Sequence, residues 1–82
     1  MHYDAACPQW NGFNRCRIEM YFKDHAPPHF HIVTTSNERI SVVIESLEVL
    51  AGTADSRDVT EALTWAKTNR ETLRRLWREY SE

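Results

Sequence analysis

From residue 55 to residue 80 the apolar side chains Val59, Ala62, Leu63, Ala66, Leu73, Leu76, Trp77 and Tyr80 recur at helical spacing, and this run takes up nearly a third of an 82-residue chain. Asp55 and Ser56 stand before it as N-cap residues, with a short side-chain oxygen to accept an orphan backbone N–H. Unbroken, ~25 residues at 1.5 Å each make a rod of roughly 37 Å, longer than the ~30 Å diameter of a compact body this size. Either the helix breaks near Thr68-Asn69, where two weak helix formers adjoin, or its last turns pack on a second copy or a different partner.

What remains for the rest of the fold is short. The chain is one domain over 1–82 with one core, and a body this small buries only ~60–65% of its unfolded surface. Nine aromatics, three each of Trp, Tyr and Phe, supply the anchors such a core needs. The net charge of −2 excludes a polycation that coats nucleic acid or membrane by charge alone. The chain holds no run of eighteen apolar residues, and residues 1–10 carry Asp4 and lack a basic start and an apolar stretch, so no membrane contact and a cytoplasmic location are expected. Cys7 and Cys16 lack metal-site spacing and are expected as reduced thiols.

Residues 1–14, punctuated by Pro8 and Asn11-Gly12, predict an irregular segment. From residue 15 the pattern alternates, with Cys16, Ile18, Met20 and Phe22 on one face and Arg15, Arg17, Glu19, Tyr21 and Lys23 on the other, polar face. A second strand is predicted over 29–35. The turn residues Ser36-Asn37-Glu38 lead into a third over 39–46, paired antiparallel to the second. Residues 47–51 read equally as a fourth strand or a helical turn, ended by Gly52. The predicted fold is therefore α+β: an antiparallel meander of three to four strands over 15–51, followed by a long or broken C-terminal helix over 55–80 packed on one face.

The densest chemistry lies in Asp24-His25-Ala26-Pro27-Pro28-His29-Phe30-His31. Alternation puts His29 and His31 on one strand face, ~6–7 Å apart. His25 stands across a two-proline turn from them, with Asp24 near enough to orient an imidazole. Three neutral imidazoles and a water would make an open zinc site; no other cofactor is indicated. Paired imidazoles would also suit acid–base cleavage of RNA, with Lys23 and Arg39 stabilising the phosphorane. Alternatively the histidines and Asp24 hydrogen-bond the backbone groups that the prolines leave unpaired, which makes the segment a structural corner or recognition edge.

Residues 66–78 set Lys67, Arg70, Arg74, Arg75 and Arg78 against Glu71 alone, a local charge of +4 that leaves −6 elsewhere. On one continuous helix, Lys67, Arg70, Arg74 and Arg78 share an arc of about 80° beside the apolar face. That arc suits phosphates or an acidic partner, or is a solvated face whose arginine stems cover apolar surface. Arg70 falls inside the apolar arc and must snorkel, find a carboxylate or mark a break. Trp77 and Tyr80 are expected as core anchors. Trp65, at the arc's edge, is a candidate interface anchor with no neighbouring aromatic to complete a stacking platform.

The run Arg17-Ile-Glu-Met-Tyr-Phe-Lys-Asp-His-Ala-Pro-Pro-His-Phe-His-Ile32, with Leu47-Glu-Val-Leu-Ala-Gly52 and the helical Trp65-Ala66, Leu73 and Trp77, resembles the bacterial domain-of-unknown-function family numbered 4160. The resemblance covers roughly residues 15–80 and rests on the Asp-His-x-Pro-Pro-His-x-His core. It implies a small α+β fold and a bacterial source, and it singles out Asp24, His25, Pro27, Pro28, His29 and His31. It also implies an operon shared with a second small protein, in a toxin–antitoxin-like arrangement, and carries no established activity. The leading expectation is a non-enzymatic binding module whose His-Pro-Pro-His-x-His corner and basic helix contact a partner protein, the product of an adjacent gene. A small ribonuclease or metal-dependent enzyme using His25, His29 and His31, a nucleic-acid regulator using the basic helix, and a homodimer stay open.

Overall fold

The computed structural model describes residues 13–21 and 25–81. The expectations for 1–12, including Cys7, and for Phe22, Lys23 and Asp24 lie outside these residues. Four strands, β1 (Cys16–Glu19), β2 (His29–Thr34), β3 (Arg39–Val43) and β4 (Val49–Gly52), precede two helices, α1 (Ser56–Thr68) and α2 (Arg70–Ser81). The strands form one antiparallel sheet in the order β1-β2-β3-β4. The α+β meander read from the alternation is the fold observed; the third strand stops at Val43 instead of reaching residue 46, and the equivocal 47–51 segment supplies the fourth strand from Val49 onward.

Register follows from where apolar residues must go. Ile18 faces Ile32, which faces Ile40. Cys16, Met20, Phe30, Val42 and Ile44 join them in a core closed by Val59, Ala62, Ala66 and Leu73 from the helices. Slipping β2 by one residue would turn this set outward, so the register is strongly specified. The β2–β3 turn is closed by Thr34, whose N–H donates to Glu38 O and whose Oγ1 accepts from Glu38 N–H. Asn37 takes the left-handed φ of 72° that asparagine tolerates. Cys16 is a free, buried thiol, and burial pushes its pKa up, so it serves as a small core hydrophobe.

The helical run does break. Asn69 interrupts it, its N–H donating to Ala66 O at 3.1 Å and its Nδ2 to Trp65 O at 2.8 Å, which satisfies carbonyls that the end of α1 leaves open. Folding the second half back keeps the body at 33 × 24 × 21 Å, shorter in every direction than an unbroken rod. The break also corrects the single basic arc, because residues on either side of Asn69 no longer share one phase. Arg70 resolves its anomaly by marking the break: its Nε donates to Ile44 O at 3.2 Å and its Nη1 to Lys67 O at 3.0 Å, tying α2 to the end of β3 and to α1.

Asp55 caps α1, its Oδ1 accepting from Arg57 N–H at 2.9 Å. Arg57 in turn bonds the Asp55 carboxylate and holds its pKa below the ordinary value, as Arg74 does for Glu45. Folded-state pKa values that are lowered add stability above the unfolded carboxylate pKa, about 4, and lose it as pH falls through the folded values. The urea midpoint is therefore expected to decline below about pH 4, and Glu45→Gln to make the decline shallower. An identical acid slope in that variant would remove Glu45 from the account.

Candidate functional site

The site grows from the sheet face opposite the core. Pairing sets Glu19, His31 and Ser41 in one row and Arg17, Val33 and Arg39 in the next. This corrects the reading of Glu19 as an outward polar residue: it is 1% exposed, and β2 is buried on both faces. A carboxylate so placed needs partners. Arg17 Nε donates to Oε2 at 2.8 Å, while Tyr21 Oη and Arg39 Nη1 donate to Oε1 at 3.1 and 3.2 Å. The arginine stems and the tyrosine ring then lie over the sheet and shut water out.

From this clamp a row of rings runs toward the proline corner. The Arg39 guanidinium sits 5.7 Å from the Tyr21 ring centre, and Tyr21 stacks on His31 with centroids 3.8 Å apart. His31 meets His29 edge-on at 5.0 Å, and His29 meets Trp77 of α2 at 5.2 Å and His25 at 5.5 Å. A hydrogen bond of 3.2 Å joins His31 Nδ1 to Ser41 Oγ. His29 Nδ1 lies 2.6 Å from Pro27 O; a carbonyl only accepts, so Nδ1 carries the proton. The Ala26–Pro27 peptide bond is cis.

The structure thus brings His25, His29 and His31 together, with His29 and His31 buried and His25, Pro27 and Pro28 exposed. Asp24 lies outside the described residues. Among those residues, no group of three or more His, Cys, Asp or Glu side chains is arranged to hold a metal ion. The basic candidates separate. Arg70 is spent on backbone carbonyls and Arg74 on Glu45 and Glu71, while Lys67 and Arg78 are exposed. Trp65 is half-buried and meets Phe13 edge-on at 6.3 Å, so it does have an aromatic neighbour, though an edge-on pair is no stacking platform.

Sequence reading missed Glu19, Tyr21, Ser41 and Trp77 as members of this cluster, and it set Arg39 beside the histidines as a phosphate contact rather than as a clamp on Glu19. The signal was available for the first two, since alternation puts Glu19 and Tyr21 on one face, and antiparallel pairing lays that face beside His31. Trp77 carried no such signal, because its approach to His29 depends on the helix break.

An antiparallel four-stranded meander with two helices on one face, its other face closed by a clamped carboxylate and a row of rings, is the kind of small α+β domain defined here. The model of the family described as Domain of unknown function (DUF4160) matches residues 16–78, well over half of the chain. The chain belongs to that family. No curated protein and no solved structure matches it. No helix among the described residues is long and apolar enough to cross a membrane.

Proposed function

We propose that this chain is a non-enzymatic binding module that works through a protein partner, as one half of a toxin–antitoxin-like pair. One observation carries the reading. The edge strand β4 is exposed at all four residues, and its Val49 and Leu50, 55% and 44% exposed, are the exposed large hydrophobics among the described residues. A small domain that leaves apolar side chains on a sheet edge has a surface suited to another chain. The operon arrangement implied by the resemblance supplies the nature of the partner.

A ribonuclease or metal-dependent enzyme draws on the closeness of His25, His29 and His31. Against it stand the burial of two of the rings and the engagement of a ring nitrogen of each by Pro27 O or Ser41 Oγ, which suits a structural corner better than proton transfer to a substrate. Co-expression with the product of the adjacent gene tests the reading. The two proteins are expected to co-elute, and to do so equally for the His25→Ala variant; a chain that elutes alone from native extracts would overturn it.

A further inference from the structure

Beside β4 the sheet and α1 leave an open apolar groove of about 320 Å³, lined by Ile40, Val49, Gly52, Ala54, Val59 and Leu63. Two features of this edge are physically linked. Natural edge strands are usually blunted by lysine, proline or an inward charge. Residues 49–54, Val-Leu-Ala-Gly-Thr-Ala, carry none of these; what limits this edge is its length of four residues and a register shift opposite Ser41 and Val42. Among the described residues no strand pairs with the outer side of β4, which is the side an added strand would join.

The ends of the same edge are acidic. Glu48 precedes β4 and is exposed; beyond it, Glu38 and Asp55 sit together, Asp55 N–H donating to Glu38 Oε1 at 3.3 Å. Among the described residues, the cations near this rim are engaged elsewhere: Arg57 by the Asp55 carboxylate, Arg15 by Asp58, and Arg39 by Glu19 on the opposite face. Charge thereby decides between occupants. Two copies of β4 paired about a two-fold axis would run antiparallel, setting Glu48 of one against residues 53–55 of the other, acid against acid. An extended segment of a different chain, apolar at alternate positions and basic at its ends, meets both the groove and the rim.

Resting on the partner-binding reading above, we infer that β4 and its groove receive such a basic-ended strand of the partner by edge addition to the sheet. Alternate side chains of the added strand enter the groove, and its terminal lysines or arginines face Glu48 and the Glu38–Asp55 pair.

The test uses the full chain and two synthetic peptides that alternate valine and threonine, one ended by lysine and one by glutamate. The lysine-ended peptide is expected to shift the amide resonances of residues 49–52 and to bind about ten-fold or more tightly than the glutamate-ended one, a gap that narrows with added salt. Leu50→Lys, at an exposed position that leaves the core intact, is expected to weaken that binding about ten-fold and to reduce co-elution with the partner. Equal binding of the two peptides, or shifts elsewhere on the sheet, overturns the inference. So does a wild-type dimer that Leu50→Lys dissolves, because the occupant is then a second copy. A partner that co-elutes undiminished with Leu50→Lys also overturns it, while leaving the partner-binding reading standing.

Discussion

Replacing Arg17 and Arg39 together with methionine is expected to destabilise the fold by about 3–5 kcal/mol, the cost of leaving a buried charge without its partners. The two guanidiniums are themselves partly in water, with side chains 44% and 47% exposed, so their own transfer contributes little. The cost sits on Glu19, whose side chain is 1% exposed and which, of its three donors among the described residues, would keep the Tyr21 hydroxyl alone. Methionine rather than alanine is the informative replacement, because it preserves the apolar cover that the arginine stems give and keeps water from rescuing the carboxylate. Adding Glu19→Met to the pair is expected to recover most of the loss, since an ion cluster replaced whole by hydrophobes is often neutral. Urea unfolding followed by tryptophan fluorescence measures both. A double variant that loses less than about 1 kcal/mol would place Glu19 in an exposed-pair regime and contradict the clamp.

Gly52→Ala is expected to cost about 2–3 kcal/mol, combining the left-handed backbone penalty with a lost ladder hydrogen bond. Gly52 has φ +85°, and a Cβ there would stand 2.3 Å from the Arg39 carbonyl oxygen. The obstructing atom belongs to the backbone of β3, so no side-chain rotation relieves the contact and β4 must move off its neighbour. Faster amide exchange at residues 40–42 and 49–52, with α1 unaffected, is the expected signature. Unchanged exchange across β4 would show that the strand tolerates the methyl group and that the close approach is not needed. Because β4 is also the proposed docking edge, the variant should bind the lysine-ended peptide less well than its residual stability alone accounts for.

Much of the fold was legible because local signals and burial agree. Alternation in β1 and β3 reports a sheet with one apolar face, and the helical period together with two weak helix formers at Thr68-Asn69 marks the break. Gly52 does end β4, but the reason for a glycine there was not legible: it could end a helix or serve a close strand approach equally well, and only the position of the Arg39 carbonyl distinguishes the two. Glu19 misled for a related reason. Period-two patterning assigns a residue to a face but says nothing about whether that face is covered, and here Arg17, Tyr21, Arg39 and the histidine rings cover it.

By itself the sequence determined an α+β fold, a helical C-terminal third with a weak point near Asn69, and a proline corner that sets His29 and His31 on one strand face. Those are short-range properties, set by side-chain period, proline geometry and chain length. Tertiary structure alone decided that Arg70 and Arg74 are spent on the fold, that Glu19 is a buried, clamped carboxylate, and that β4 is left with an apolar, acid-rimmed edge. Each of these depends on which strand lies beside which and where the second helix turns back, and such contacts between distant residues leave no mark in local periodicity.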